Sequence, residues 1–184
     1  MIHILPIKRC LLPLLLAALL GLSQCKKSDP DPVSQLPPAT QTGANTFGCL
    51  VNGQPWTPQG YNGISNYSVA YDASLNGGVF DLNTYRYSLG SSNEQSIVLY
   101  ANKMGQVGQY SFRNPQRTRA SFNDDKTGCY WSSRDSTTTY RRGTLTITRL
   151  DLSAGVISGT FTFTLYKPGC DSVRVTQRRF DKKL

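Results

Sequence analysis

Two neighbouring stretches late in the chain alternate with a period of two. In Gly143–Leu150 (GTLTITRL), Leu145 and Ile147 fall on one side while Thr144, Thr146 and Thr148 fall on the other. In Val156–Tyr166 (VISGTFTFTLY), Phe161, Phe163 and Leu165 oppose Thr160, Thr162 and Thr164. Period two is the signature of a strand with one face buried, and no helix satisfies it. The link Asp151-Leu152-Ser153-Ala154-Gly155 predicts a hairpin loop closed by glycine. Any register that sets odd positions against odd positions puts both apolar rows on one side of the sheet.

The same signs recur from Phe47 onward. Short apolar or alternating runs are divided by Asn52-Gly53, Asn62-Gly63 and Asn76-Gly77, which supply the positive φ of tight turns. Further strands are expected at Phe47–Val51, Tyr67–Asp72, Val79–Tyr87, Ser96–Asn102, Gly108–Arg113, Arg119–Asn123, Cys129–Ser132 and Ser172–Phe180. That makes about ten strands and no amphipathic helix. Their short connections predict antiparallel order. The fold class is therefore all-β, an antiparallel β-sandwich or a flattened β-barrel, and the sequence leaves these two open. Charged residues are 17% and aromatic residues 10% of the chain, a balance that excludes a disordered polymer.

The N-terminus carries an address. Lys8 and Arg9 precede an apolar run of 12 residues, Leu11 to Leu22. This fits a secretory signal and falls short of the roughly 20 residues of a spanning helix. The run ends Leu22-Ser23-Gln24-Cys25, which resembles a bacterial lipobox, with Gln24 where Gly or Ala is usual. The resemblance implies a signal peptide over 1–24 and a lipidated, palmitate-bearing Cys25 as the mature N-terminus. Acyl chains contribute about 0.8 kcal/mol per buried methylene, so two or more anchor a protein stably. The expected location is the cell envelope, lipid-anchored to the outer membrane, on its periplasmic or its outer side. Residues 25–46 follow as lipidated cysteine and tether. Pro30, Pro32, Pro37 and Pro38 lie among small polar residues, which predicts a semi-rigid linker of roughly 25 Å for residues 26–46. Lys26 and Lys27 are placed to touch anionic headgroups. The β-domain is expected over 47–184.

Loss of 1–24 removes Lys8, Arg9 and the single histidine, His3, leaving 18 basic against 11 acidic residues. A mature chain without histidine disfavours Ser-His-Asp or Cys-His catalysis and any His metal site. We expect no enzyme, no cofactor and no resident metal. Of the remaining cysteines, Cys129 and Cys170 each follow a glycine near a strand start, whereas Cys49 sits inside the apolar run Phe47–Val51. Three pairings are possible, and these contexts favour a Cys129–Cys170 disulfide with Cys49 free.

Three sites compete for a ligand. Tyr130, Trp131 and Tyr140, with the hydroxyl-rich Ser136–Tyr140 run, suit stacking against a sugar. Asp124-Asp125 with Asp135 could serve calcium, or Asp124 and Asp135 a carboxylate hydrolase, but a solvated turn fits their spacing better. Finally, residues 113–184 hold 14 basic and 6 acidic residues, against 2 and 5 in 28–112. The basic half includes Arg113, Arg117, Arg119, Arg141, Arg142, Arg174, Arg178 and Arg179. No nucleic-acid recognition motif accompanies them. An anionic glycan or lipid headgroup is the better partner, and a strand face made soluble by charge is the plainer account.

Two groups of residues carry a family resemblance. Leu36-Pro37-Pro38 leads into Phe47-Gly48-Cys49-Leu50-Val51-Asn52-Gly53 with Trp56 and Pro58 nearby. Gly159-Thr160-Phe161 and the ending Arg179-Phe180-Asp181 close the domain. In these the chain resembles small uncharacterised lipoproteins of Bacteroidota that carry a domain of unknown function. Arg178 stands where that family usually has Gly, which implies a differently bent last strand. The resemblance implies export, lipidation and β-architecture, and transfers no activity or catalytic residue. The reading as a whole is a lipid-anchored binding or scaffolding module, with a glycan-binding accessory role as the alternative.

Overall fold

The computed structural model describes residues 29–87 and 93–184. The expected signal peptide, the lipidation site Cys25 and Lys26-Lys27 lie outside the described residues. Every described strand belongs to one compact unit, Asp31–Leu184.

Among the described residues eleven strands form two sheets: β1 (Thr46–Val51), β2 (Gln54–Trp56), β3 (Tyr67–Asp72), β4 (Val79–Tyr87), β5 (Glu94–Ala101), β6 (Gly108–Ser111), β7 (Thr118–Asp124), β8 (Cys129–Ser132), β9 (Tyr140–Asp151), β10 (Val156–Lys167) and β11 (Asp171–Lys183). The six-stranded sheet runs β2-β1-β11-β10-β9-β6, and the five-stranded sheet runs β3-β4-β5-β7-β8. Every ladder is antiparallel. The sheets are open and stack as a sandwich, which resolves the barrel alternative. Phe80 meets Phe180 and Phe47 meets Tyr67 across the gap, each at 5.6 Å between ring centroids.

The β9–β10 pairing follows the alternation. Phe161 sits opposite Leu145 and Phe163 opposite Gly143, odd against odd. Leu145, Ile147, Phe161, Phe163 and Leu165 are all buried. Their threonine neighbours form the outer face. The turn at Asn52-Gly53 has positive φ at both residues and closes the β1–β2 hairpin. That hairpin adds a strand beyond the ten expected: β2 is three residues long, contains Pro55 and pairs only with β1.

β11 carries a bulge. Its ladders with β1 and with β10 both slip where Gln177 adopts φ +51°. The extra residue reverses the alternation. Val173 and Val175 face inward before it, and Phe180 faces inward after it.

The tether differs from expectation. Asp31 caps a 3-10 turn, Pro32–Gln35, and beyond it the chain lies on the domain. Leu36 is buried, and Pro37 packs on Gly48 so closely that a Cβ there would lie 2.6 Å from Pro37 Cδ. Residues 40–44 then wrap the buried carboxylate of Asp181. It accepts hydrogen bonds from Thr40 Oγ1, the Thr42, Gly43 and Ala44 amides, and Ser158 Oγ. A linker reading fits a stretch without apolar period. The partner that orders this one is more than 130 residues away in sequence.

Candidate functional site

On the outer face of the six-stranded sheet the antiparallel register assembles rows of side chains from separate strands. Thr164 of β10 is flanked by Arg142 of β9 and Arg174 of β11. Thr162 faces Thr144, and Thr160 is flanked by Thr146 and Arg179. With neighbouring strands about 5 Å apart, each arginine-bearing row spans about 10 Å. Four residues of strand, about 13 Å, separate the first row from the last. The result is a hydroxyl-floored trough with guanidinium groups near both ends.

Two adjoining hollows occupy it. One, of about 750 Å³, is lined among others by Ser111, Arg113, Tyr140, Arg142 and Arg174. The other, of about 380 Å³, reaches Ala39, Gln177, Arg178 and Arg179, and both share Thr144 and Thr162. The bulge leaves Arg178 opposite the buried Phe161, on the core side of the ladder and within electrostatic reach of Cys49. Burial pushes the Arg178 pKa down to about 10, with the like charge of Arg174 acting in the same direction and Cys49 against it. Its Nε is buried without a hydrogen-bond partner among the described residues. The ion pairs among the described residues are Arg149–Asp151 at 2.9 Å and Lys167–Asp135 at 3.4 Å. Neither neutralises the trough arginines, and no carboxylate lines either hollow.

The aromatic sugar site does not assemble. Trp131 is buried against Phe122 and donates its indole N–H to the Asp171 carbonyl at 3.0 Å, so it is a core residue. Tyr130 is exposed on the solvent side of β8, in the five-stranded sheet. Tyr140 is exposed on the other sheet, opposite Tyr166, and belongs to the trough. Alternation explains the separation: adjacent residues in a strand point to opposite faces, so Tyr130 and Trp131 cannot share one.

The acidic residues also disperse. Asp125 is held in its turn by the Glu94 amide and the Asn123 side chain. Asp135 pairs with Lys167, and hydrogen bonds from Thr137 hold its carboxyl below the usual range. Asp124 ends β7 and faces the space between the sheets. Among the described residues no group of three His, Cys, Asp or Glu side chains is placed to hold a metal ion. The calcium reading of Asp124, Asp125 and Asp135 therefore finds no cluster.

The disulfide is Cys129–Cys170, with Cα atoms 5.7 Å apart. Cys49 is a free, fully buried thiol whose pKa burial raises strongly. Sequence reasoning gave Asp181 no role beyond the Arg179-Phe180-Asp181 ending and passed over Arg86 and Gln95, because nothing local marks an inward-facing polar residue within a strand.

No curated protein and no solved structure matches the chain. A family does match, over residues 60–182, from the loop before β3 nearly to the end of β11. β1 and β2 fall outside that span although β1 pairs along β11. On this match the chain belongs to the family described as a domain of unknown function, DUF6252.

Proposed function

We propose that this protein is a cell-envelope module, held at the outer membrane by lipid on Cys25, that binds rather than catalyses, and that its trough takes an acidic polysaccharide. The observation that carries the reading is the trough itself. Arg142, Arg174 and Arg179 flank the threonine hydroxyls, and no carboxylate lines the hollows to balance them. Hydroxyls suit the alcohol groups of a sugar chain, and paired guanidinium groups suit carboxylates or sulfates in bidentate geometry. Rows about 13 Å apart suit a polymer that repeats its charge at intervals rather than a single compact anion. The lipid anchor rests on the Leu22–Cys25 motif and on the apolar run before it.

Binding of polygalacturonate and of neutral dextran by the full-length chain tests the reading. Polygalacturonate is expected to bind and to weaken as salt is raised, because exposed charges are screened within about 10 Å at 0.1 M. The Arg142→Gln/Arg174→Gln variant is expected to lose at least about tenfold in affinity, or about 1.4 kcal/mol. Equal binding of dextran, unchanged binding by the variant, or equally tight binding of a DNA oligonucleotide would overturn it. Palmitate labelling that persists in Cys25→Ala would remove the anchor.

A further inference from the structure

We propose that the open end of the sandwich, apart from the trough, is a binding site for a small zwitterion, namely an α-amino acid with an apolar side chain. The cleft holds about 440 Å³, within the range of small-molecule pockets. The β1–β2 and β10–β11 turns frame it from one sheet, and β4, β5, β7 and β8 frame it from the other.

Its floor is a crosswise row on the five-stranded sheet: Arg86 of β4 opposite Gln95 of β5, and Gln95 opposite Asp124 of β7. Gln95 shares its face with Ile97, Leu99 and Ala101, all fully buried, so the row points between the sheets. Arg86 and Asp124 are thus about 10 Å apart at the backbone, with an amide between them. They form no ion pair.

Arg86 is fixed in place with donors to spare. Its Nε donates to Gln95 Oε1 at 2.9 Å and its Nη1 to the Pro55 carbonyl at 3.0 Å. The guanidinium lies 5.4 Å from the centre of the Trp56 ring. Two of its five N–H donors are used, leaving three among the described residues. Burial lowers its pKa, and Cys49 and Asp124 offset only part of that. A half-buried cation without a carboxylate is unfavourable, and a bound carboxylate relieves it. Asp124 accepts from the Lys126 amide at one oxygen, leaving the other for an ammonium group. Phe122, Trp131, Val173 and Cys170 supply apolar wall to the same cleft. The rim is preformed, because the disulfide joins β8 to the β10–β11 turn and Trp131 is bonded to Asp171 at the start of β11.

The chain has two tryptophans, Trp131 lining the cleft and Trp56 beside Arg86, so intrinsic fluorescence reports directly on it. The full-length chain is titrated with L-phenylalanine, L-phenylalaninamide and N-acetyl-L-phenylalanine. Phenylalanine is expected to give a saturable change, and each capped analogue to bind at least about tenfold more weakly. Arg86→Gln is expected to abolish the change. Asp124→Asn, at the edge of the fold, is expected to weaken phenylalanine about tenfold without affecting the N-acetyl analogue, and it serves if Arg86→Gln does not fold. No saturable change with phenylalanine, or equal binding of the capped forms, would overturn the proposal. The trough variant Arg142→Gln/Arg174→Gln is expected to bind phenylalanine normally, so this site and the trough stand or fall separately.

Discussion

Asp181 is a fully buried carboxylate that receives five hydrogen bonds, three of them from consecutive amides of the N-terminal segment. Burial alone would raise its pKa. The Ala44 amide, Ser158, Thr40 and the Gly43 amide overcome that and hold it well below the usual carboxylate range. A folded-state pKa below the unfolded value means that ionisation favours folding. The stabilisation is complete above the unfolded pKa, about 4, and is lost as pH falls toward the depressed folded value. In Asp181→Asn the amide NH₂ must face donors, so part of the cradle loses its acceptor. Hydrogen bonds to a charged group contribute about 1.5–3 kcal/mol, and we expect a loss of about 2–3 kcal/mol at pH 7 by urea unfolding. The variant's stability should also fall less steeply below pH 4. A shallow slope remains because Arg149, Ala154 and Ser153 likewise hold Asp151 down. An unchanged urea midpoint would show that the segment docks without this carboxylate.

The β9–β10 ladder depends on two glycines where the strands approach most closely. A Cβ on Gly143 would lie 1.9 Å from the Thr162 carbonyl oxygen, and one on Gly159 would lie 2.3 Å from that of Thr146. Gly159 also sits under the Phe180 ring, 2.8 Å from where its Cβ would be. Backbone cannot yield as a side-chain tip does, so Gly159→Ala is expected to destabilise by about 1–3 kcal/mol. Each kcal/mol lowers the melting temperature by about 2–4 °C in a domain of this size. Gly105→Ala, whose Cβ meets its nearest atom at 3.4 Å, is the control and should stay within about 0.5 kcal/mol. Equal effects would remove the close approach as the cause. This pair of strands was also the most readable in the sequence, because burial on one face forces alternation onto a long run. β2 was not, since three residues with a proline carry no period, and Pro55 is tolerated only because the strand is an edge. The trough was half readable: the threonine row shows in β9 and β10 separately, but the placing of Arg142 and Arg174 on either side of Thr164 exists only once register is known. Trp131 was misjudged because composition counts an aromatic ring without saying which way the strand turns it.

At the scale of the molecule, the sheets are joined by a shared core and by one covalent link. The Cys129–Cys170 bridge ties β8, an edge of the five-stranded sheet, to the β10–β11 turn of the other sheet across 41 residues. Closing such a loop in the unfolded chain corresponds to about 4 kcal/mol in the loop-entropy model. The core does not depend on it. Fully buried rings and aliphatic chains come from both sheets, Trp56, Phe161, Phe163 and Phe180 from one and Phe80, Leu82, Ile97 and Leu99 from the other, and a domain near 150 residues buries about 68–70% of its unfolded surface without a staple. The Cys129→Ser/Cys170→Ser variant should therefore keep its β-sheet circular dichroism while its urea midpoint drops by the equivalent of about 3–4 kcal/mol. Cys49 separates local from global opening in the same experiment. Burial holds its thiol protonated, and from β1 it is buried in the core. Thiol trapping mapped to Cys49 by mass spectrometry should be absent from the folded protein with the bridge intact. In the variant it should rise with the fraction unfolded. Labelling of Cys49 well before global unfolding would mean that the bridge holds the β1 edge shut, and the core would then be less self-sufficient than its packing implies.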